Sequence, residues 1–108
     1  MKIDFTKLRA NIPSKVKTNS KTSFDILWQD NPVTPTDIPL HGITTFNPNQ
    51  IILDTKQSDR ETVLTIFHEY IHALADTYDI KLTENEVRRL EKGFPYIREF
   101  ILILEGIK

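Results

Sequence analysis

The chain has 108 residues, of which 39% are hydrophobic and 27% charged, with no cysteine and a formal net charge of −1. That length suits one domain, 1–108, with a modest core. The composition excludes a disordered chain, a disulfide framework, a Cys-ligated metal site and a thiol nucleophile. No apolar run approaches the ~20 residues of a membrane span. MKIDFTKLR has no continuous apolar segment of the secretory kind, so a cytoplasmic location is the expectation.

Charge is unevenly spread. Lys2, Lys7, Arg9, Lys15, Lys17 and Lys21 stand against a single acid, Asp4, at the N-terminal end, and the remainder is acidic. Residues 1–21 therefore read as a solvated, partly mobile basic segment. Contact with nucleic acid or an acidic partner is the alternative. Within this segment DFTKLRAN (4–11) has the weak pattern of a short helix stopped by Pro13. Phe24, Ile26 and Trp28 alternate with outward residues and predict a strand over 22–29, with Trp28 plugging the core between sheet and helix. DNPVTPTDIP (30–39), with three prolines, reads as a loop. LHGITTF and QIILD flank the turn signal NPN and predict a β-hairpin over 40–46 and 50–54.

The second half reads as helical. Ser58-Asp-Arg-Glu61 is a capping-box pattern, and Val63, Ile66, Phe67, Tyr70, Ile71, Leu74, Ala75 and Tyr78 follow at helical spacing. Thr83-Glu-Asn-Glu86 opens a second, short helix closed by Gly93 ahead of Pro95. YIREFILILE (96–105) reads as a third helix, although its Ile and Phe content also suits a strand. Its apolar residues Phe100, Ile101, Ile103 and Leu104 are expected to pack inside the monomer, a weak dimer being the alternative. The expected architecture is α+β: a small antiparallel sheet packed on the first long helix, plus two C-terminal helices.

That long helix carries the chemistry, in TIFHEYIHAL (65–74). His68 and His72 lie four residues apart, one turn apart on the same face, a spacing that lets both imidazoles reach one Zn²⁺ at ~2.0–2.1 Å. Glu69 projects to one side of the pair, where it can act as general base toward a water. At ~100° per residue both histidines fall outside the apolar arc and so border a cleft rather than enter the core. A shuffled chain of this composition contains HExxH on the order of once in two hundred. That rarity favours a metal site over a solvated helix face.

A catalytic zinc site takes three protein ligands and keeps one open position. No third histidine follows the motif, which excludes an HExxHxxGxxH site. Among the downstream acids, Asp76 lies one turn beyond His72 and suits orienting an imidazole. Glu86 is expected to be engaged by its capping box. Glu84, in the first turn of the second helix, is free to reach across to both histidines. Glu91 shares its side, and helical geometry alone does not separate the two. His41, at the start of the hairpin, reads as a surface histidine, with oxyanion stabilisation as the sharper alternative. Tyr70 and Tyr78 fall on the apolar side and read as core.

TVLTIFHEYIHALADTYDIKLTENEVRRLEKGF resembles small zincin-like proteins of phages and mobile elements, related to ImmA/IrrE-type metallopeptidases. HGITTFNPNQIILD matches the family's Gly-containing hairpin, and LTENEVRRLEKGF its downstream acidic segment, over about residues 41–94. SprT-type proteases carry a similar helix but usually add a zinc ribbon, which this cysteine-free chain lacks. The resemblance implies a minimal zincin-like fold with the family's conserved acid at Glu84, so that His68, His72 and Glu84 hold Zn²⁺ and Glu69 is catalytic. It implies a gluzincin-like zinc metalloendopeptidase acting on a protein or peptide substrate, for example a regulatory protein such as a phage repressor. Neither nucleic acid nor a membrane is an expected partner, and a monomer or weak dimer is expected. The alternative is a catalytically weak, zinc-stabilised binding or regulatory module.

Overall fold

Alternation at Phe24 and Ile26 in one strand, and at Ile51 and Leu53 in another, gives each a face that must be covered. In the computed structural model, which describes residues 3–34 and 40–106, a long helix covers them. The elements are α1 (Phe5–Ala10), β1 (Lys15–Lys17), β2 (Ser23–Gln29), β3 (Gly42–Thr45), β4 (Gln50–Asp54), α2 (Asp59–Thr77), α3 (Glu84–Glu91) and α4 (Phe94–Leu104). Part of the expected loop, residues 35–39, lies outside the described residues. Phe24, Ile26, Ile51, Leu53 and Ala73 form the core, with Ile12, Val16 and Ile66 packed against it. Among the described residues no helix is long and apolar enough to cross a membrane.

The class is α+β, as expected, but the sheet is mixed rather than antiparallel. Its strand order is β1-β2-β4-β3. The outer pairs are antiparallel, whereas β2 and β4 run parallel, with Ile26 opposite Ile51 and Trp28 opposite Leu53. A parallel pair needs a long connection, which residues 30–49 supply. The chain first crosses to the edge position of β3, and the hairpin then returns β4 alongside β2. Pairing between segments so far apart leaves no local signature.

The basic N-terminal segment is not a solvated tail over its described length. Arg9 donates to the carbonyl oxygens of Gln57 (2.7 Å) and Thr55 (3.0 Å) and lies 3.4 Å from Asp59 Oδ1. Thr6 donates to Asp59 Oδ2 at 2.8 Å. β1 pairs with β2, and the Tyr70 and Tyr78 hydroxyls donate to the Lys17 and Thr18 carbonyls at 2.6 and 2.8 Å. Tyr70 thus ties β1 to α2, Tyr78 ties the residue after β1 to the end of that helix, and Tyr78, expected in the core, is 55% exposed. Charge counting showed the sign of this segment but not these backbone acceptors. Trp28 is likewise no core plug: burial along β2 ends at Ile26, and Trp28 lies under the Arg9 guanidinium, 5.5 Å from its ring centroid.

Caps set the helix starts as the sequence predicts. Ser58 Oγ accepts from the Glu61 amide at 3.2 Å. The second box is reciprocal, with Thr83 N donating to Glu86 Oε1 (2.7 Å) and Glu86 N to Thr83 Oγ1 (3.1 Å). Thr83 is therefore a true start for α3, which packs on α2 and buries Val87. α4 is a helix, beginning at Phe94 with Pro95 in its first turn, but it buries none of its residues. The expectation that its apolar side chains pack within the monomer is not met; Phe100 is 60% and Leu104 70% exposed. Gly93 and Pro95 start α4 as a new helix instead of continuing α3, and its first residue, Phe94, stacks near Phe67 of α2 (centroids 5.2 Å apart).

One close approach positions the site. A Cβ on Gly42 would lie 2.6 Å from Thr65 Cγ2, 3.1 Å from the Ile52 carbonyl oxygen and 3.4 Å from Glu69 Cγ. Glycine here lets β3 press against α2 beside the HExxH turn. Gly42→Ala is expected to lower stability by about 1–3 kcal/mol, read by urea unfolding. Adding Thr65→Ser, which removes the obstructing methyl, is expected to recover part of that loss.

Candidate metal centre

The i, i+4 spacing on α2 brings the rings of His68 and His72 to 5.1 Å between centroids. α3 lies across them, and because Thr83 starts that helix, Glu84 falls in its first turn. There Glu84 Oε1 is 2.6 Å from His68 Nε2, and Oε2 is 3.1 Å from His72 Nε2. One donor atom from each of His68, His72 and Glu84 lies within 4.8 Å of the others. Of the acids weighed from the sequence, Glu84 alone reaches both imidazoles.

Glu91 takes a different position. Its Oε1 lies 2.7 Å from His68 Nδ1, the nitrogen facing away from Glu84. It fixes the ring's orientation and leaves Nε2 for the cluster, the arrangement in which a carboxylate holds a metal-binding imidazole. The orienting role expected of Asp76 thus falls to Glu91, and among the described residues Asp76 makes no side-chain hydrogen bond to His72. Glu86 is engaged by its capping box. His41 is exposed on the cleft wall; its carbonyl accepts from Asp54 N and Gln57 Nε2, and its ring makes no hydrogen bond to another described residue.

Glu69 departs most from helical-wheel expectation. It is 8% exposed, lining the cleft while packed against β3. The Thr44 hydroxyl, 2.9 Å from Oε1 and 3.0 Å from the Glu69 carbonyl oxygen, donates to it and holds the carboxylate. Oε2 is left toward the histidines, 4.0 Å from His68 Nε2. Burial pushes the Glu69 carboxyl above its ordinary value, and the Thr44 hydrogen bond and both histidines pull it down without offsetting that. For Glu84 burial also acts upward, but the charges and hydrogen bonds of His68 and His72 outweigh it and hold the carboxyl low. Two carboxylates of one cleft are thus driven in opposite directions.

The cleft around them has two adjoining parts of about 420 and 510 Å³, which share Leu40, Gly42, Glu69, Glu84 and Arg88. Ile43, Thr44 and Phe46 line one part, and His41, Thr65 and Lys92 the other. Sequence reasoning did not single out Thr44 or Arg88. For Thr44 a signal existed: it lies two residues beyond Gly42, on the same face of the strand.

Two imidazole nitrogens and one carboxylate oxygen make the donor set of three-ligand catalytic zinc sites. Tetrahedral bonds of ~2.0–2.2 Å need donors roughly 3.3 Å apart. The observed 2.6 and 3.1 Å are hydrogen-bond lengths, so the Glu84 carboxylate would draw back from the imidazoles, by about 0.7 Å on the His68 side, to admit the ion. The residues fit the group. No protein-family model, curated protein or solved structure significantly matches this chain.

The raised carboxyl of Glu69 sets a stability expectation. Folding favours its protonated form, so its contribution is complete below the ordinary carboxylate range and lost as pH rises through the raised value. Glu69→Gln keeps an acceptor for Thr44 and carries no charge. In chelator at pH 7 it is expected to melt a few degrees above the parent, the gap closing toward pH 4 by calorimetry.

Proposed function

We propose that the protein is a zinc-dependent metallopeptidase of gluzincin-like design, hydrolysing peptide bonds of a protein substrate. The observation that carries this reading is the convergence of His68, His72 and Glu84 donor atoms beside a buried, hydroxyl-held Glu69. His68, His72 and Glu84 would hold the ion. When bound, Zn²⁺ supplies Lewis acidity that brings the pKa of a water toward ~7.

The chain's own groups do the rest. Glu69 Oε2 accepts a proton from the attacking water and passes it to the leaving amine nitrogen, while Thr44 keeps Oε1 fixed. Burial raises its carboxyl in the metal-free site, the direction that favours proton uptake. Glu91 holds His68 in register. β3 is an edge strand whose residues Gly42, Ile43 and Thr44 line the cleft, so an extended peptide can add to it through backbone hydrogen bonds. Arg88 and His41 on the cleft walls offer donors to the oxygen on which negative charge develops. By likeness to the family that the sequence resembles, the target is a regulatory protein such as a phage repressor.

Zinc content and cleavage of an unfolded protein substrate test this directly. Glu69→Gln is expected to keep zinc while lowering cleavage by roughly 10²–10⁴-fold, and His68→Ala to lose the metal. Cleavage surviving in Glu69→Gln refutes the mechanism. A zinc-loaded parent without turnover points instead to a zinc-stabilised regulatory module. Replacing the residue behind His68, Glu91→Ala is expected to weaken zinc about 10–100-fold in chelator competition, whereas Asp76→Ala leaves affinity unchanged.

A further inference from the structure

α4 is the least explained element of the fold. Tyr96, Ile97, Phe100, Ile101, Ile103 and Leu104 are all exposed, Tyr96 by 74%. Ile97, Phe100, Ile101 and Leu104 recur at i, i+3, i+4 and i+7, one continuous apolar stripe. On the far side of α2 from the metal centre lies an apolar groove of about 470 Å³, between α1, β1 and α2 and walled by Leu8, Ile12, Val16, Ile66 and Tyr70. We infer that α4 of one copy docks in this groove of a second copy, and reciprocally, making a two-fold dimer. The inference does not depend on the catalytic reading, because the groove uses Val63, Ile66, Phe67 and Tyr70 of α2 and the cleft uses Leu64, Thr65, His68 and Glu69.

Three observations favour a second copy as the occupant. The first is area. The four side chains of the stripe, 46–70% exposed, present several hundred Å², and reciprocal docking adds the groove of each copy, toward the ~800 Å² per partner of a standard interface. That is also about the largest apolar patch a monomer leaves uncovered. The second is charge. The groove belongs to the basic end of the chain, with Lys17 on its wall and Lys7 on the flanking α1, while Lys15 already pairs with Asp25 at 3.6 Å. α4 carries Arg98 and Glu99 and is capped by Glu105, a balance of −1. The third is closure. Phe94, the first residue of α4, lines its own chain's groove against Phe67, so each arm leaves from the rim of one groove and can enter the other. Reciprocal exchange of this kind closes on itself. A membrane suits α4 poorly, since an interfacial helix needs a Lys/Arg-rich polar face and Arg98 is its only cation.

Sedimentation equilibrium on the full chain, with and without zinc, is the test. The expected result is a dimer that dissociates on dilution. Phe100→Asp and Leu104→Asp, at exposed positions, are expected to weaken it roughly tenfold or more each, toward the 12.6 kDa monomer with unchanged circular dichroism. Because the chain lacks cysteine, Lys17→Cys and Leu104→Cys can be made singly and mixed under oxidation. The inference expects the mixed disulfide. It is overturned by a monomer at all concentrations, by a dimer indifferent to both aspartates, or by disulfides of Leu104→Cys only with itself, which would mean that α4 pairs with α4. A monomer that instead binds phosphatidylserine–phosphatidylcholine vesicles overturns it too, and assigns the helix to a lipid surface.

Discussion

The approach of β3 to α2 at Gly42 is the constraint on which the site depends. With no side chain there, strand and helix come close enough for the Thr44 hydroxyl to reach Glu69. That contact buries a carboxylate that would otherwise face water on a half-exposed helix. Burial in turn moves its proton affinity upward. One backbone position therefore links strand packing to the basicity of a side chain on a different element.

α3 contributes through a different device. Its reciprocal capping box fixes where the helix begins, and hence that Glu84 occupies the first turn while Glu91 lies two turns on. The two acids then meet opposite nitrogens of His68. Equal in type and on the same side of one helix, they are separated only by position along it. The local stability of the box is of ordinary size, about 1 kcal/mol for such a cap, yet it sets the register in which α3 presents the two acids to α2.

The remaining surfaces of α2 serve the scaffold. α1 is anchored to the start of α2 by Arg9 and Thr6, and β1 and the residue after it are tied to the helix by two tyrosine hydroxyls. A small chain buries a limited core, and here polar anchors onto backbone carbonyls supplement it. They also leave an apolar groove beside α2 and an apolar helix beyond it, complementary features on one molecule.

Local patterns were legible in the chain itself. Period-two alternation marked β2, the NPN turn marked the hairpin, two Ser/Thr caps marked α2 and α3, and HEYIH set two imidazoles one turn apart, because each depends on residues within a few positions of one another. The parallel pairing of β2 with β4 and the docking of the basic segment depend on contacts between residues 25 to 60 apart in the chain, so only the tertiary structure decided them. The choice between Glu84 and Glu91 was of the same kind: helical geometry places both on one side, and the way α3 packs on α2 sends one to the pair of Nε2 atoms and the other to Nδ1 of His68. The burial of Glu69 was hidden for a related reason. A helical wheel reports a residue's direction, whereas burial is decided by what packs there, and here it is a glycine strand from another part of the chain.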